Sequence, residues 1–407
     1  MKKLNIWILN HYAISPKSIG GTRHYDLAKE LVRRGHTVRI FASSFNHFTK
    51  EETTVYEKGI SKEEDFNNVK FTWIKTPSYQ KSVKRVLNII TFTYRLNKVL
   101  ANYIKHEKPD LIIGSSVHPL TPLVGLNKAK KVKSLFYFEE RDLWPQTFID
   151  FGMLSEKNIL TRLLLKIETY LYKESDRTIF LFDKAHKYAF TKGLAKGKEV
   201  LIPNGYSIQR LNDSIKFKEI NEMLSYYKGK KLCLYVGSMG EANHMLPLLE
   251  LTQTMKQEKE YHFLFVGQGP LKKSLSEYIE HNHLTNVTFI DPVPKEQIPD
   301  LLRHADYGMI SIKDSPLYKW GFSMNKIYDY LSVGLPVLMY SSLDSIGNLE
   351  QSNAIINFKT TEEMKAFLLN PSKIDREAIQ KFAMEHYSWE VLSNKLLEIV
   401  EEDIVRK

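Results

Sequence analysis

Ile6-Trp7-Ile8-Leu9, followed by a loop through Ser15, Pro16 and Lys17 to Gly20-Gly21-Thr22 and a helix from about Arg23, is one of two segments that decide the fold. The other is Leu234-Tyr235-Val236-Gly237-Ser238-Met239-Gly240, with a helix expected from about Asn243. Each reads as a buried first strand running into a turn of small residues and then a helix. In open parallel sheets ligands bind outside the carboxyl ends of the strands, where glycine lets a phosphate approach backbone N–H groups at a helix start. A tight strand-to-helix connection with no ligand would use the same residues. Neither loop matches G-x-G-x-x-G, which disfavours a nicotinamide or flavin enzyme.

Outward from these two turns, short apolar runs alternate with helix-period stretches. Leu4–Leu9, Thr37–Ala42, Leu111–Gly114 and Leu135–Phe138 read as buried strands, separated by amphipathic segments such as Tyr25–Gly35. After a break at Gly193-Leu194-Ala195-Lys196-Gly197 the pattern restarts with Leu232–Val236, His262–Val266, Val287–Ile290, Tyr307–Ile312 and Val337–Tyr340. Strand and helix in alternation imply parallel sheets covered on both faces, here two doubly wound domains. The boundaries expected are 1–192 and 193–385, with a C-terminal helix within 386–407.

The 407 residues are 43% apolar and 26% charged, the composition of an ordinary folded protein of two or three domains. One cysteine, Cys233, excludes an internal disulfide framework and any cysteine-clustered zinc or iron–sulfur site, and points to a reducing compartment. The run Leu4–Leu9 is too short for a signal-peptide core and no window of about eighteen apolar residues suggests a membrane span. A cytoplasmic location is expected. The net charge of +11 is unevenly spread. Residues 1–200 carry 35 Lys and Arg against 20 Asp and Glu, net +15; the remainder carry 23 against 27, net −4. A basic half can seek nucleic acid, an anionic membrane or a phosphorylated ligand, and the sign alone does not choose.

Five motifs choose. The Gly20-Gly21 loop, Arg141-Asp142-Leu143-Trp144-Pro145, Ile202-Pro203-Asn204-Gly205, Gly267-Gln268-Gly269-Pro270, and Ser323-Met324-Asn325-Lys326-Ile327-Tyr328-Asp329-Tyr330 with Gly334-Leu335-Pro336-Val337 stand in this order along the chain. In that order and spread the sequence resembles family-4 glycosyltransferases. The Asp-Leu-Trp-Pro and Ser-x-Asn-Lys elements resemble the subgroup that includes bacterial fucosamine transferases of surface-polysaccharide assembly. The resemblance implies an α/β fold of GT-B type, two Rossmann-like doubly wound domains facing across a cleft. Acceptor would bind mainly to the first and nucleotide-sugar mainly to the second, with the C-terminal helix, Trp389 to about Glu402, packing back on the first, retention of anomeric configuration, and no metal or other cofactor.

It also implies roles. Departure of a nucleoside diphosphate develops charge on phosphate oxygens, so catalysis needs preorganised cations and N–H groups. Lys326, in a turn before a helix expected over Ile327–Val333, is the first candidate for the cation. Ser323, Met324 and Asn325 would offer backbone N–H groups at the helix start. Gly21, Gly237, Ser238, Gly267 and the backbone of Pro292 and Val293 are further donor-binding candidates, and Asp329 can accept from ribose hydroxyls. The family commonly carries two glutamates separated by seven residues here; the second position is Asp329 and the first is Gly321, which removes a carboxylate near the donor sugar. The turn after Gly237 also lacks the Arg and Lys many members aim at the diphosphate, which leaves Lys326, Arg23 or Lys17 to compensate.

In the first half, His118 follows a strand and faces the cleft if the fold is right, a catalytic candidate that would hydrogen-bond donor or acceptor. Lys17, Gly20, Arg23, Arg141 and Asp142 are acceptor-binding candidates, although Arg141 and Asp142 would equally well pair with each other. The stretch Lys81–Lys108 carries Lys81, Lys84, Arg85, Arg95, Lys98, Lys105 and Lys108 against Glu107, interleaved with apolar residues at helical spacing. Such a face either lies on an anionic leaflet or is the solvated side of a packed helix.

These features point to a transferase using a nucleotide-sugar, UDP-linked by expectation, to extend a polyprenyl-diphosphate-linked glycan at an anionic membrane surface. The rival within the fold is a non-catalytic sugar-nucleotide-binding or partner subunit. Nucleic-acid binding has only the basic half in its favour, with no recognised module or aromatic stacking motif.

Overall fold

The computed structural model describes residues 2–18, 20–47, 49–80, 82–213 and 217–407. Lys81 of the basic stretch lies outside the described residues. The chain divides into two compact units, Met1–Pro203 with Leu392–Lys407, and Asn204–Val391.

The first unit is built on strands β1 (Asn5–Leu9), β2 (Thr37–Ser43), β3 (Phe45–Asn46), β4 (Glu51–Glu52), β5 (Ser61–Phe66), β6 (Val69–Ile74), β7 (Leu111–Ser115), β8 (Leu135–Glu140), β9 (Arg177–Phe180) and β10 (Glu199–Leu201). Eight of them form one sheet in the order β10-β9-β8-β7-β1-β2-β6-β5. Ile6, Trp7, Ile8 and Leu9 are wholly buried, the pattern of a central parallel strand covered on both faces. The helix Arg23–Arg33 returns over the sheet on Leu27, Ala28 and Leu31. Within that sheet, among the described residues, β5 alone runs antiparallel, against β6, and β3 and β4 form a separate antiparallel pair.

The second unit has a six-stranded parallel sheet of β11 (Lys231–Val236), β12 (Tyr261–Val266), β13 (Val287–Ile290), β14 (Tyr307–Ser311), β15 (Val337–Tyr340) and β16 (Ile355–Phe358), ordered β13-β12-β11-β14-β15-β16. Alternate residues feed two cores. Leu232, Leu234, Leu264, Val266, Ile310 and Met339 face one; Cys233, Tyr235, Phe263, Phe265, Met309 and Leu338 face the other. Cys233 is thus a core residue, and burial pushes its thiol pKa up, away from reactivity.

Several expectations need correction. The first unit extends to Pro203 rather than ending at 192, because β10 pairs with β9 and draws residues 199–201 into the first sheet. The C-terminal helix does begin at Trp389, runs on to Arg406, and from Leu392 onward clusters with the first unit, while residues 386 and 387 close the preceding helix Arg376–Tyr387. The helix expected from Asn243 begins at Leu246, after a short 3-10 turn at Glu241–Asn243. Strands β5, β6, β9, β10 and β16 were not among the apolar runs read from sequence; β5 alternates charged residues at a sheet edge, and β9 and β10 are short.

The C-terminal helix is tied to the first sheet by Asp403. Its carboxylate accepts from Arg177 Nε (2.8 Å) and Nη2 (2.7 Å) and from Tyr137 Oη (2.7 Å). Burial works to raise the carboxyl pKa, but these donors hold it below its ordinary value. Stability from such a group is present above the unfolded-state pKa and is lost as pH falls through the folded one. Asp403→Asn should therefore cost about 1–2 kcal/mol at neutral pH, and urea unfolding should show the gap to wild type closing as the pH drops below the ordinary aspartate range.

Candidate functional site

In the second unit a closed ring of hydrogen bonds surrounds one ammonium group. Lys326 Nζ donates to Tyr235 Oη and to Asn243 Oδ1, both at 2.8 Å. Tyr235 Oη donates to the Ser238 carbonyl at 2.6 Å and Asn243 Nδ2 donates to the same carbonyl at 2.9 Å. The ammonium also lies 4.1 Å from the centroid of the Tyr235 ring. All its partners are neutral, and burial pushes the Lys326 pKa down to about 7. A cation so placed gains most when an anion arrives.

Lys326 sits not in a turn but as the second residue of the helix Asn325–Ser332. Met324, ahead of that helix, provides no side-chain cap; the Ile327 N–H turns back to the Met324 carbonyl (3.1 Å), and the N–H groups of Asn325 and Lys326 stand at the helix start where an anion would be met. Ser323 is spent on structure: its Oγ accepts from Asn204 N (3.0 Å) and meets Tyr328 Oη (2.8 Å), while its carbonyl accepts from Asn204 Nδ2 (2.7 Å). Ser238 is exposed, Pro292 is exposed, and Val293 is half-buried against the core. Asp329 is half-buried on the same helix.

The glycines divide by cause. A Cβ on Gly237, whose φ is +148°, would sit 3.2 Å from Lys326 Cε and Nζ, so the turn must stay bare to leave the ammonium in place. A Cβ on Gly267 would lie 1.9 Å from the Gly237 carbonyl, so that glycine is explained by packing of one turn on the other. Gly321 has φ +98°, which glycine adopts most readily. The position that lacks the family's carboxylate is therefore also one whose backbone disfavours a glutamate.

The first unit places its candidates differently. Arg23 is not available to a ligand. It is 3% exposed; its Nε donates to Glu139 Oε1 (2.9 Å), Nη1 to the Pro203 carbonyl (2.6 Å) and Nη2 to the Ile202 carbonyl (2.8 Å). Glu139 Oε2 meets His24 Nε2 (2.7 Å) and accepts from Ser115 Oγ (2.5 Å). Burial opposes ionisation of Glu139, yet Arg23 and His24 hold it well below its ordinary value, so the pair is ionised.

His118, expected at the cleft, is 1% exposed. Its Nε2 lies 2.9 Å from His11 Nδ1, and His11 stacks on Phe92 at 4.0 Å between centroids. Burial, with Arg85 nearby, pushes His118 down to about 3, so it is neutral and enclosed rather than presented to substrate.

Lys17 is exposed, 5.8 Å from the Phe66 ring, and Gly20 and Gly21 are exposed beside it. Burial pushes the Asp142 carboxyl up and the neighbouring Arg141 guanidinium draws it back, while the Arg141 backbone N–H donates to Ser116 Oγ (3.1 Å). Sequence reading passed over Tyr235 and Asn243. Tyr235 is hidden in an apolar strand, and Asn243 was taken for a helix start. It also passed over a polar concavity lined by Tyr12, Ser15, Ser18, Ser43, Asn46 and His47 at the carboxyl ends of β1 and β2.

The family described as Glycosyltransferase Family 4 matches residues 20–210, and the family described as Glycosyl transferases group 1 matches 230–367. The chain belongs to the family-4 glycosyltransferases. Its fold is GT-B. A probable glycosyltransferase of Pseudomonas aeruginosa, WbjE, is 21% identical over 208 residues, 48% of each chain, so the chain spans about half the length of the curated relative it matches. Among solved structures, sucrose-phosphate synthase from Thermosynechococcus elongatus superposes with a TM-score of 0.72 at 14% identity, covering 100% of both chains. Anabaena HepE in complex with UDP-glucose gives 0.67 at 13% identity, covering 98% of this chain and 100% of its own.

The Lys326 ring sets a pH dependence. A diphosphate diester carries no group titrating near neutrality, so the change in its affinity reports the protein. If its diphosphate raises the lysine pKa on binding, the complex holds more protons than the free protein above pH 7. For any such diphosphate diester held at Lys326, the Kd measured by calorimetry should be flat below about pH 7 and weaken by about tenfold per unit above it, and Lys326→Met should bind weakly with no such slope.

Proposed function

We propose that this family-4 glycosyltransferase moves a sugar, with retention of configuration, from a UDP-linked donor to a lipid-linked glycan of a bacterial surface polysaccharide. The observation that carries the reading is the Lys326 ammonium, fixed by Tyr235 and Asn243 beside the uncapped start of the helix Asn325–Ser332. The acceptor hydroxyl attacks on the face from which the diphosphate departs, and the departing group helps to take its proton. Lys326 and the first-turn N–H groups meet the charge that develops on the diphosphate, with no metal. Asp329 receives the ribose and the Pro292-Val293 backbone the base. The UDP-glucose bound by HepE, a neighbour in fold, favours a uridine donor.

The membrane enters through the helix Ser82–Tyr103. Phe92, Leu96, Val99 and Leu100 pack inward, yet Val86, Leu87, Ile90 and Tyr94 are each more than half exposed, with Lys84 and Lys98 alongside. Ile159, Leu160 and Leu163 of the helix Ile159–Glu174 are exposed as well, and the helix Leu120–Val132 packs against both. Apolar side chains set among basic ones suit an anionic leaflet, with each basic residue near lipid worth about 1 kcal/mol. No helix among the described residues is long and apolar enough to cross a membrane, and the protein works on the cytoplasmic face.

Release of UDP from UDP-sugars, with and without polyprenyl-diphosphate acceptors, tests the reading. Lys326→Ala should lower turnover by at least a hundredfold while shifting the melting temperature little. Equal losses in both would remove Lys326 from catalysis, and no release with any donor would leave a binding subunit.

A further inference from the structure

We propose that Arg85, Lys50 and His47 form an anion site in the first domain that holds the diphosphate group of the acceptor, an assignment that rests on the lipid-linked reading above. Arg85 is the fourth residue of the helix Ser82–Tyr103, close to its positive end. Its Nε donates to Tyr12 Oη at 3.1 Å, and its guanidinium carbon lies 5.7 Å from the Tyr12 ring. Lys50 Nζ lies 3.2 Å from His47 Nδ1 and 4.8 Å from the Tyr79 ring. Tyr12 stacks on His47, 4.6 Å between centroids and 10° from parallel, and the Tyr79 hydroxyl meets both His47 and Tyr12. The cations are thus held in a frame of aromatic rings drawn from the carboxyl ends of β1, β2 and β6.

Arg85 and Lys50 differ from three arginines whose charge is met by carboxylates. Arg23 has Glu139, Arg39 has Glu63 and Glu107, and Arg177 has Asp403. Among the described residues no carboxylate lies within ion-pair distance of Arg85 or Lys50. The groups facing Arg85 are themselves basic. Lys50 is pushed down by burial and by Arg85; His47 falls to about 4 through burial, Lys50 and Arg85; His11 and His118 behind them are lowered by burial and feel the same guanidinium. A guanidinium in the first turn of a helix and a neighbouring lysine, neither with a carboxylate partner among the described residues, suit the charge of a diphosphate.

Calorimetric titration with inorganic pyrophosphate and with farnesyl diphosphate, with UDP present to occupy the donor site, tests the proposal. Wild-type protein should bind both, and Arg85→Gln and Lys50→Gln should each weaken binding at least tenfold while UDP-glucose affinity and the melting temperature stay unchanged. Undiminished binding in Arg85→Gln would overturn the assignment. So would a loss confined to phosphatidylglycerol vesicles with the soluble diphosphates unaffected, since Arg85 would then serve a lipid headgroup. Should UDP-glucose fail to bind while pyrophosphate binding remains dependent on Arg85, the donor reading fails and the anion site stands.

Discussion

The first domain depends on the buried pair of Arg23 and Glu139. An ionised carboxylate and a guanidinium out of water each carry a large desolvation cost, offset only if every remaining donor and acceptor is met. Here they are met by His24, Ser115 and the carbonyls of Ile202 and Pro203. One network therefore joins the first helix, the ends of β7 and β8, and the strand exit at Ile202-Pro203. Removing one partner of such a pair costs about 3–5 kcal/mol because the other is left charged and unpaired. The same arithmetic takes Arg23 out of ligand binding.

The second domain treats its cation in the opposite way. Lys326 receives only neutral partners, two side-chain oxygens and an aromatic face, so its position is fixed while its charge is left uncompensated. Bare glycine turns make this arrangement possible: Gly237 leaves room for the ammonium, and Gly267 lets the neighbouring turn pack against Gly237. Preorganised charge without a counter-ion is what a departing diphosphate requires. Arg85 and Lys50 repeat the device in the first domain.

Sequence carried the fold well where burial on both faces produced continuous apolar strands, as in Ile6–Leu9 and Leu232–Val236. It carried Lys326 through the motif around it. It missed β5 because an edge strand alternates charges, and misjudged the first boundary because β10 is only three residues long and pairs at a distance in sequence. His118 and Arg23 were misread for a common reason. A polar residue at the carboxyl end of a strand looks the same in sequence whether it faces a ligand or a buried partner, and Glu139 and His11, which decide the matter, lie 116 and 107 residues away. Arg85 was legible as part of a basic helix, but its lack of a carboxylate partner is a three-dimensional fact.

The central claim is that the second domain presents a preformed, metal-free site for a nucleoside diphosphate. A thermal-shift screen of UDP, GDP, ADP, TDP and CMP, with and without a divalent metal, tests it most directly. The account predicts a stabilising shift with UDP that is the same in the presence of a chelator. No shift with any nucleotide at millimolar concentration, or a shift that appears only with metal, would contradict it.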